Sequence, residues 1–276
     1  MKKTGLFATL FVVMLAITAC AGKGKSGTVG SPDKKDSSVV AQAAFDSVVV
    51  DTTVRLDPSD GGSAAANVKI SLVYATDEKG EALNNAILAS DALKAATMAK
   101  PNYDGLTIRQ AVSKFVESYL TTYKKLCGPT YKQNKSVPGN SYDFDLRGKL
   151  YAGDKYSAVV LDKYEFTGGA HGQSSVVTIN VNNSTGRVLT KQDLLNGKDD
   201  KKVAELIVRD FCHQYGKKDL QELGDQPGLF FGMTPYVPDN FVIGGDSATF
   251  IYGSDEIAPH ALGVVKAKVA LKDLGL

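Results

Sequence analysis

Ser141–Gly169 reads SYDFDLRGKLYAGDKYSAVVLDKYEFTGG, and its period decides the fold. Apolar and polar residues alternate on both sides of Ala152-Gly153-Asp154, so the stretch reads as strand, turn, strand. His171 to Asn183, HGQSSVVTINVNN, adds a third strand, which Asn182 to Gly186, NNSTG, ends in a tight turn. Connections this short join antiparallel neighbours, because a parallel crossover needs a dozen or more residues. An antiparallel meander therefore occupies the middle of the chain.

Upstream, residues 44–56 (AFDSVVVDTTVRL) and 67–76 (NVKISLVYAT) read as two more strands, with Val68, Ile70, Leu72 and Tyr74 on one face. Two helical segments follow. Glu81 to Met98 places Leu83, Ile87 and Leu88 at helical spacing, and AKPNYDG (99–105) breaks it. Leu106 to Leu126 carries a stripe of Ile108, Val112, Phe115, Val116, Tyr119, Leu120 and Tyr123, and Cys127-Gly128-Pro129 is read as its stop. Downstream, Lys191 to Leu223 is a helical block whose main helix is Lys201 to Gln214. Three strands close the chain, at 240–245, 247–253 and 262–271. Strands, helices, strands, helices, strands make an α+β fold: antiparallel sheets with helices packed on one face, in two sub-domains. The expected boundaries are 44–160 for the N-terminal module and 161–276 for the C-terminal one.

The first residues give an address. Met1-Lys2-Lys3 is positive, Leu6 to Ile17 is almost wholly apolar, and small residues precede Cys20 in LAITACAG. The apolar run is shorter than the roughly 18 residues of a membrane span, so residues 1–19 read as a signal peptide. Ile-Thr-Ala-Cys resembles the bacterial lipobox, which implies that Cys20 is acylated; the alternative is an ordinary secretory signal with a chance cysteine. Residues 20–43, rich in Gly, Ser and Lys, read as a flexible tether. The expected location is the cell envelope, with the membrane engaged through the lipid anchor alone. The GKGKS stretch at 22–26 lacks the leading glycine and preceding strand of a phosphate loop.

Charge excludes one class of partner. The chain carries 32 Lys and Arg against 30 Asp and Glu. Setting aside Lys2 and Lys3, then four lysines and two aspartates between Cys20 and Ala43, leaves 26 against 28. A nearly neutral domain without a basic run is not a nucleic-acid binder. Cys127 and Cys212, each in a helical pattern, read either as a bonded pair or as two buried thiols.

Catalytic signatures are scarce. The chain has three histidines, His171, His213 and His260, in no metal-binding spacing. It lacks the serine-hydrolase elbow and the dinucleotide-binding glycine motif. No cofactor and no metal is expected. Two stretches stand out nonetheless. In Thr167-Gly168-Gly169-Ala170-His171-Gly172 the glycines either shape a bend or let a partner's backbone or a sugar ring approach, with Tyr164, Thr167 and His171 as contacts. In Tyr252-Gly253-Ser254-Asp255-Glu256-Ile257-Ala258-Pro259-His260, a proline fixes a kink between two strands.

Together FTGGAHG, INVNNSTGRVLTKQDLL and FIYGSDEIAPHALGVVKAKVAL resemble a domain of two kinds of bacterial envelope protein. One is the extracellular half of the lysozyme-sensing anti-sigma factors; the other is the non-catalytic N-terminal part of certain peptidoglycan deacetylases. The resemblance covers Tyr164 to Leu276 best, and there His260 stands where many members carry an aromatic hydroxyl. It implies a binding module: only Met1 to Gly5 precede the signal core, and no catalytic domain follows Leu276. The implied ligand is a lysozyme-like muramidase or a peptidoglycan fragment, met by Tyr164, Thr167, Gly168, Gly169, His171, Tyr252, Asp255, Glu256 and His260. Two other readings stay open. One is a hydrolase using His171 and His260 with Asp255 or Glu256, which requires the two loops to meet. The other is a structural subunit of an envelope complex.

Overall fold

The computed structural model describes residues 43–136 and 139–276; the expected leader, Cys20 and the tether up to residue 42 lie outside the described residues. A six-stranded sheet runs β1 (Phe45–Arg55), β2 (Ala65–Ala75), β3 (Tyr142–Tyr151), β4 (Tyr156–Phe166), β5 (Gln173–Asn182) and β6 (Val188–Leu189), in that spatial order. All neighbours are antiparallel except β2 and β3, which pair in parallel from Ala66↔Tyr142 to Ser71↔Arg147. That departure from an all-antiparallel sheet follows from the connection. The chain between β2 and β3 contains α1 (Glu81–Ala89) and α2 (Ile108–Gln133), long enough for a crossover.

Both helices cover one face. Val68, Ile70 and Leu72 of β2, Phe144 and Leu146 of β3, Val159 and Leu161 of β4, and Ile179 of β5 point at them. Leu83 and Ile87 of α1 and Phe115, Tyr119 and Tyr123 of α2 answer from the other side. Thr107 starts α2 with a reciprocal capping box to Gln110. The helix does not stop at Cys127-Gly128-Pro129. It runs to Gln133 because buried Cys127 and Tyr131 continue the stripe at four-residue steps from Tyr123, while Pro129 faces outward. α1 is shorter than the spacing predicted, ending at Ala89 before Ser90.

The second core is built from α3 (Lys191–Leu195), α4 (Asp200–Tyr215) and α5 (Leu220–Asp225) against a three-stranded antiparallel sheet, β7 (Phe241–Gly244), β8 (Ser247–Tyr252) and β9 (Val265–Ala270). Val203, Ile207 and Phe211 of α4 pack on Phe250, Tyr252, Val265 and Ala267. The expected boundary at 160/161 falls inside β4, where Val159 and Leu161 share the first core. The changeover lies at β6: Val188 packs on the first core and Leu189 on the second.

The two sheets meet back to back. Val160 of β4 and Val176 of β5 pack against Ile251, Val242 and Val264. Asn180 donates from Nδ2 to the Phe241 carbonyl at 2.7 Å and accepts from the Ile243 amide at 3.1 Å. Thr178 accepts from the Phe241 amide at 2.8 Å. Side chains of β5 thus satisfy the free edge of β7. Cys127 and Cys212 are buried free thiols, and burial raises both pKa values. No helix among the described residues is long and apolar enough to cross a membrane.

Candidate functional site

The meander places the β4–β5 loop, residues 167–172, at one end of the double-sheet face. Gly168 and Gly169 have φ of +89° and +98°, so the bend needs residues that tolerate the left-handed region. Gly168 has a second reason. A Cβ there would sit 2.7 Å from the Gly139 carbonyl oxygen, so the backbone that approaches it belongs to this chain. Thr167 is half-buried at the loop's mouth, and Gly169, Ala170 and His171 are exposed.

Strand alternation puts Tyr164 on the outer face of β4, opposite Ser174. Its ring lies over Gly172, where a Cβ would stand 2.4 Å from the ring, and it remains 42 % exposed. Tyr164 therefore presents an aromatic surface beside His171.

The β8–β9 connection arrives at the same place. Asp255 holds φ at +64°, a region that aspartate enters more readily than most residues. Its Oδ2 lies 2.8 Å from Nδ1 of His260. The rings of His171 and His260, 89 positions apart, are 5.3 Å apart at 41°. Nδ1 of His171 lies 3.2 Å from the Gly172 carbonyl. The structure thus brings Tyr164, His171, Asp255 and His260 together, with the two rings adjacent and each Nδ1 on a separate partner.

Two expected contacts belong to the fold instead. Tyr252 is fully buried among Phe211, Phe230 and Tyr236, with its hydroxyl donating to the Tyr236 carbonyl. Burial raises its pKa. Tyr252 ends a strand covered on both faces, which alternation alone does not reveal. Glu256 accepts from the Tyr236 hydroxyl and the Gly253 amide, both at 2.6 Å. It closes the 253–256 turn, and burial together with this carboxylate raises the Tyr236 pKa.

Exposure limits what the pair can do. The side chains of His260 and Asp255 are 61 % and 58 % exposed. General acid–base groups gain most where water is excluded, and both of these side chains face solvent. Among the described residues no group of three or more His, Cys, Asp or Glu side chains is placed to hold a metal ion.

A groove missed from the sequence opens beside α1. Of about 1020 Å³, it is lined among others by Tyr74, Glu81, Asn85, Lys100, Asn102 and Arg109. It shares no lining residue with the histidine pair. In the sequence, residues 99–105 read only as a helix breaker; in the structure their amide, acidic and basic side chains form the groove's outer wall.

Comparisons with known proteins agree with this architecture. Residues 62–174 match the family model described as Deacetylase PdaC, and residues 192–272 the one described as Protein of unknown function (DUF3298). A crystal structure of a DUF3298 family member from Bacteroides fragilis NCTC 9343 superposes with TM-score 0.73 at 24 % identity. The superposition covers 84 % of this chain and 92 % of that one. Another, from Pseudomonas aeruginosa PAO1, gives 0.58 at 19 % identity over 86 % and 94 %. At these identities the likeness is one of fold. No curated protein matches. The resemblance read from the glycine–histidine and Ile-Ala-Pro stretches is borne out, as a bacterial domain of unknown function joined to a deacetylase-associated one.

Proposed function

We propose that this chain is a lipid-anchored envelope protein that binds a wall-related ligand without catalysis of its own, either a lysozyme-like muramidase or a peptidoglycan fragment, met by the His171 and His260 loops. The observation that carries the reading is the convergence of two loops, each with an exposed ring, on one rigid double-sheet face. A surface held by β4, β5 and β8 is preorganised, which reduces the ordering cost of binding. Tyr164 adds an aromatic contact of the kind that anchors interfaces. The deacetylase-associated match supports a setting at the cell wall, and the Ile-Thr-Ala-Cys stretch supports the anchor at Cys20.

The test is calorimetric titration of the full chain with an animal lysozyme and with soluble muropeptides, in chelator-treated buffer. Lysozyme binding that His171→Ala weakens by about tenfold or more, the scale of one interface hot spot, is the expected result. Binding to muropeptides alone would make the protein a wall-attachment module. Silence with both would remove the proposal.

One observation favours a second reading. The Asp255–His260 hydrogen bond, with His171 against it, is the arrangement of an acid–base pair. Hydrolysis of peptidoglycan that disappears in His260→Ala would establish an enzyme. Glu256 is not part of that pair, since both its oxygens are engaged by the fold.

A further inference from the structure

The ring nitrogens of the histidine pair carry more information than their proximity. The partner of His260 Nδ1 is the Asp255 carboxylate, and the partner of His171 Nδ1 is the Gly172 carbonyl. Both partners are acceptor oxygens, one of a carboxylate and one of a carbonyl, so Nδ1 faces an acceptor in each ring. That leaves Nε2 of each ring as the nitrogen that can meet a further partner. Histidines that ligate metals are held in this way, with the second nitrogen donating to a carboxylate or a backbone carbonyl.

The spacing fits as well. With a metal–nitrogen distance of about 2.0–2.1 Å, a ring centroid lies roughly 3.2 Å from the metal, so two rings at a tetrahedral angle lie about 5 Å apart. The observed separation is 5.3 Å. Both histidines come from loops anchored in sheets: Tyr164 packs over Gly172 beside one, and Glu256 ties the turn before the other.

We infer that Nε2 of His171 and Nε2 of His260 form an open two-histidine site for a divalent late transition metal such as Cu²⁺ or Zn²⁺, with Asp255 as the positioning residue for His260. Imidazole suits these metals, and Cu²⁺ stands highest in the affinity order. Two protein ligands leave the remaining positions to water or to an oxygen or nitrogen donor of an incoming partner. The 89-residue gap between the ligands explains why no spacing motif announces the site. The assignment does not depend on the proposed ligand, because metal alone is the probe.

The experiment is titration of the full chain with Cu²⁺, followed by calorimetry and electron paramagnetic resonance, and repeated with Zn²⁺. The third histidine, exposed His213 on α4, is the control. The expected result is one Cu²⁺ per chain with two nitrogen ligands, weakened about tenfold or more by His171→Ala or His260→Ala. The double variant binds at least as weakly as either single one, since both ligands belong to one site. His213→Ala is without effect. Asp255→Asn, which keeps a residue tolerant of the left-handed backbone, weakens binding by about tenfold, the usual scale for an outer-sphere partner. Both histidines are exposed, and circular dichroism should show every variant folded. Affinity unchanged in His171→Ala or in His260→Ala overturns the site. So does equal weakening by His213→Ala, which would mean scattered surface histidines.

Discussion

At Gly168 two demands fall on one residue. The bend needs φ near +89°, and the Gly139 backbone leaves no room for a Cβ. Gly169 shares the first demand, at +98°, but a Cβ there would meet nothing within 4 Å. Gly168→Ala should therefore cost about 2–3 kcal/mol and Gly169→Ala about 1 kcal/mol, from strain with and without a clash. Urea unfolding checks this, and equal midpoints for the two variants would refute the close approach. The GG pair was legible in the sequence as a bend; which glycine was irreplaceable was not, because the obstacle lies 29 residues away. The same limit explains Tyr252. Its strand alternates, but β8 is covered on one face by α4 and on the other by β4 and β5. Local pattern cannot report what a distant segment covers.

α3 shows what an element's end contributes. Thr190 and Asp193 form a reciprocal capping box, and Arg187 grips the Asp193 carboxylate at 2.9 and 3.0 Å. Arg187 and the Thr190 amide hold the Asp193 pKa down, to about 2. The folded value lies below the ordinary 3.8, so the ionised carboxylate favours folding. That contribution is complete above about pH 4 and fades as pH falls towards 2. Asp193→Asn should lower stability by about 0.5–1 kcal/mol near neutrality, the scale of a cap and a partly exposed ion pair. Denaturant midpoints of the two proteins should converge near pH 2; a constant gap from pH 7 to 2 would exclude the charge as the cause. The sequence placed the start of this helical block at Lys191, where the structure has it. The end of α2 was not legible, because glycine and proline outweighed the four-residue step that carries the buried stripe to Tyr131.

For the whole molecule the decisive feature is how thin the joint is between two substantial cores. The apolar contact at the joint is small, built around Val160, Val176 and Ile251, and Asn180 spans it with two hydrogen bonds to β7. Order along the chain made both cores legible as α+β units. The joint stayed hidden, because the outer face of β5 carries the polar Thr178 and Asn180, and polar side chains in a strand do not announce what packs on them. The burial of Asn180 shows that an open-looking polar face can be a docking face for backbone. Asn180→Ala would leave the Phe241 carbonyl and the Ile243 amide unpaired inside the protein, a cost of about 3 kcal/mol. If the joint is what couples the cores, that loss falls on the three-stranded side first. Urea unfolding of the variant should then split into two transitions, with the α4–β9 part melting earlier. The unsubstituted chain should unfold in one step. Hydrogen exchange would locate the early transition, through amides of β7 to β9 losing protection before those of β2 to β4. A single transition that merely shifts would mean that the packing of Tyr156 and Leu189 on the second core holds the halves together without Asn180. The histidine surface depends on this outcome, since His171 rides on one half and His260 on the other. Uncoupling the halves should weaken any ligand that needs both, even though Asn180 touches neither ring.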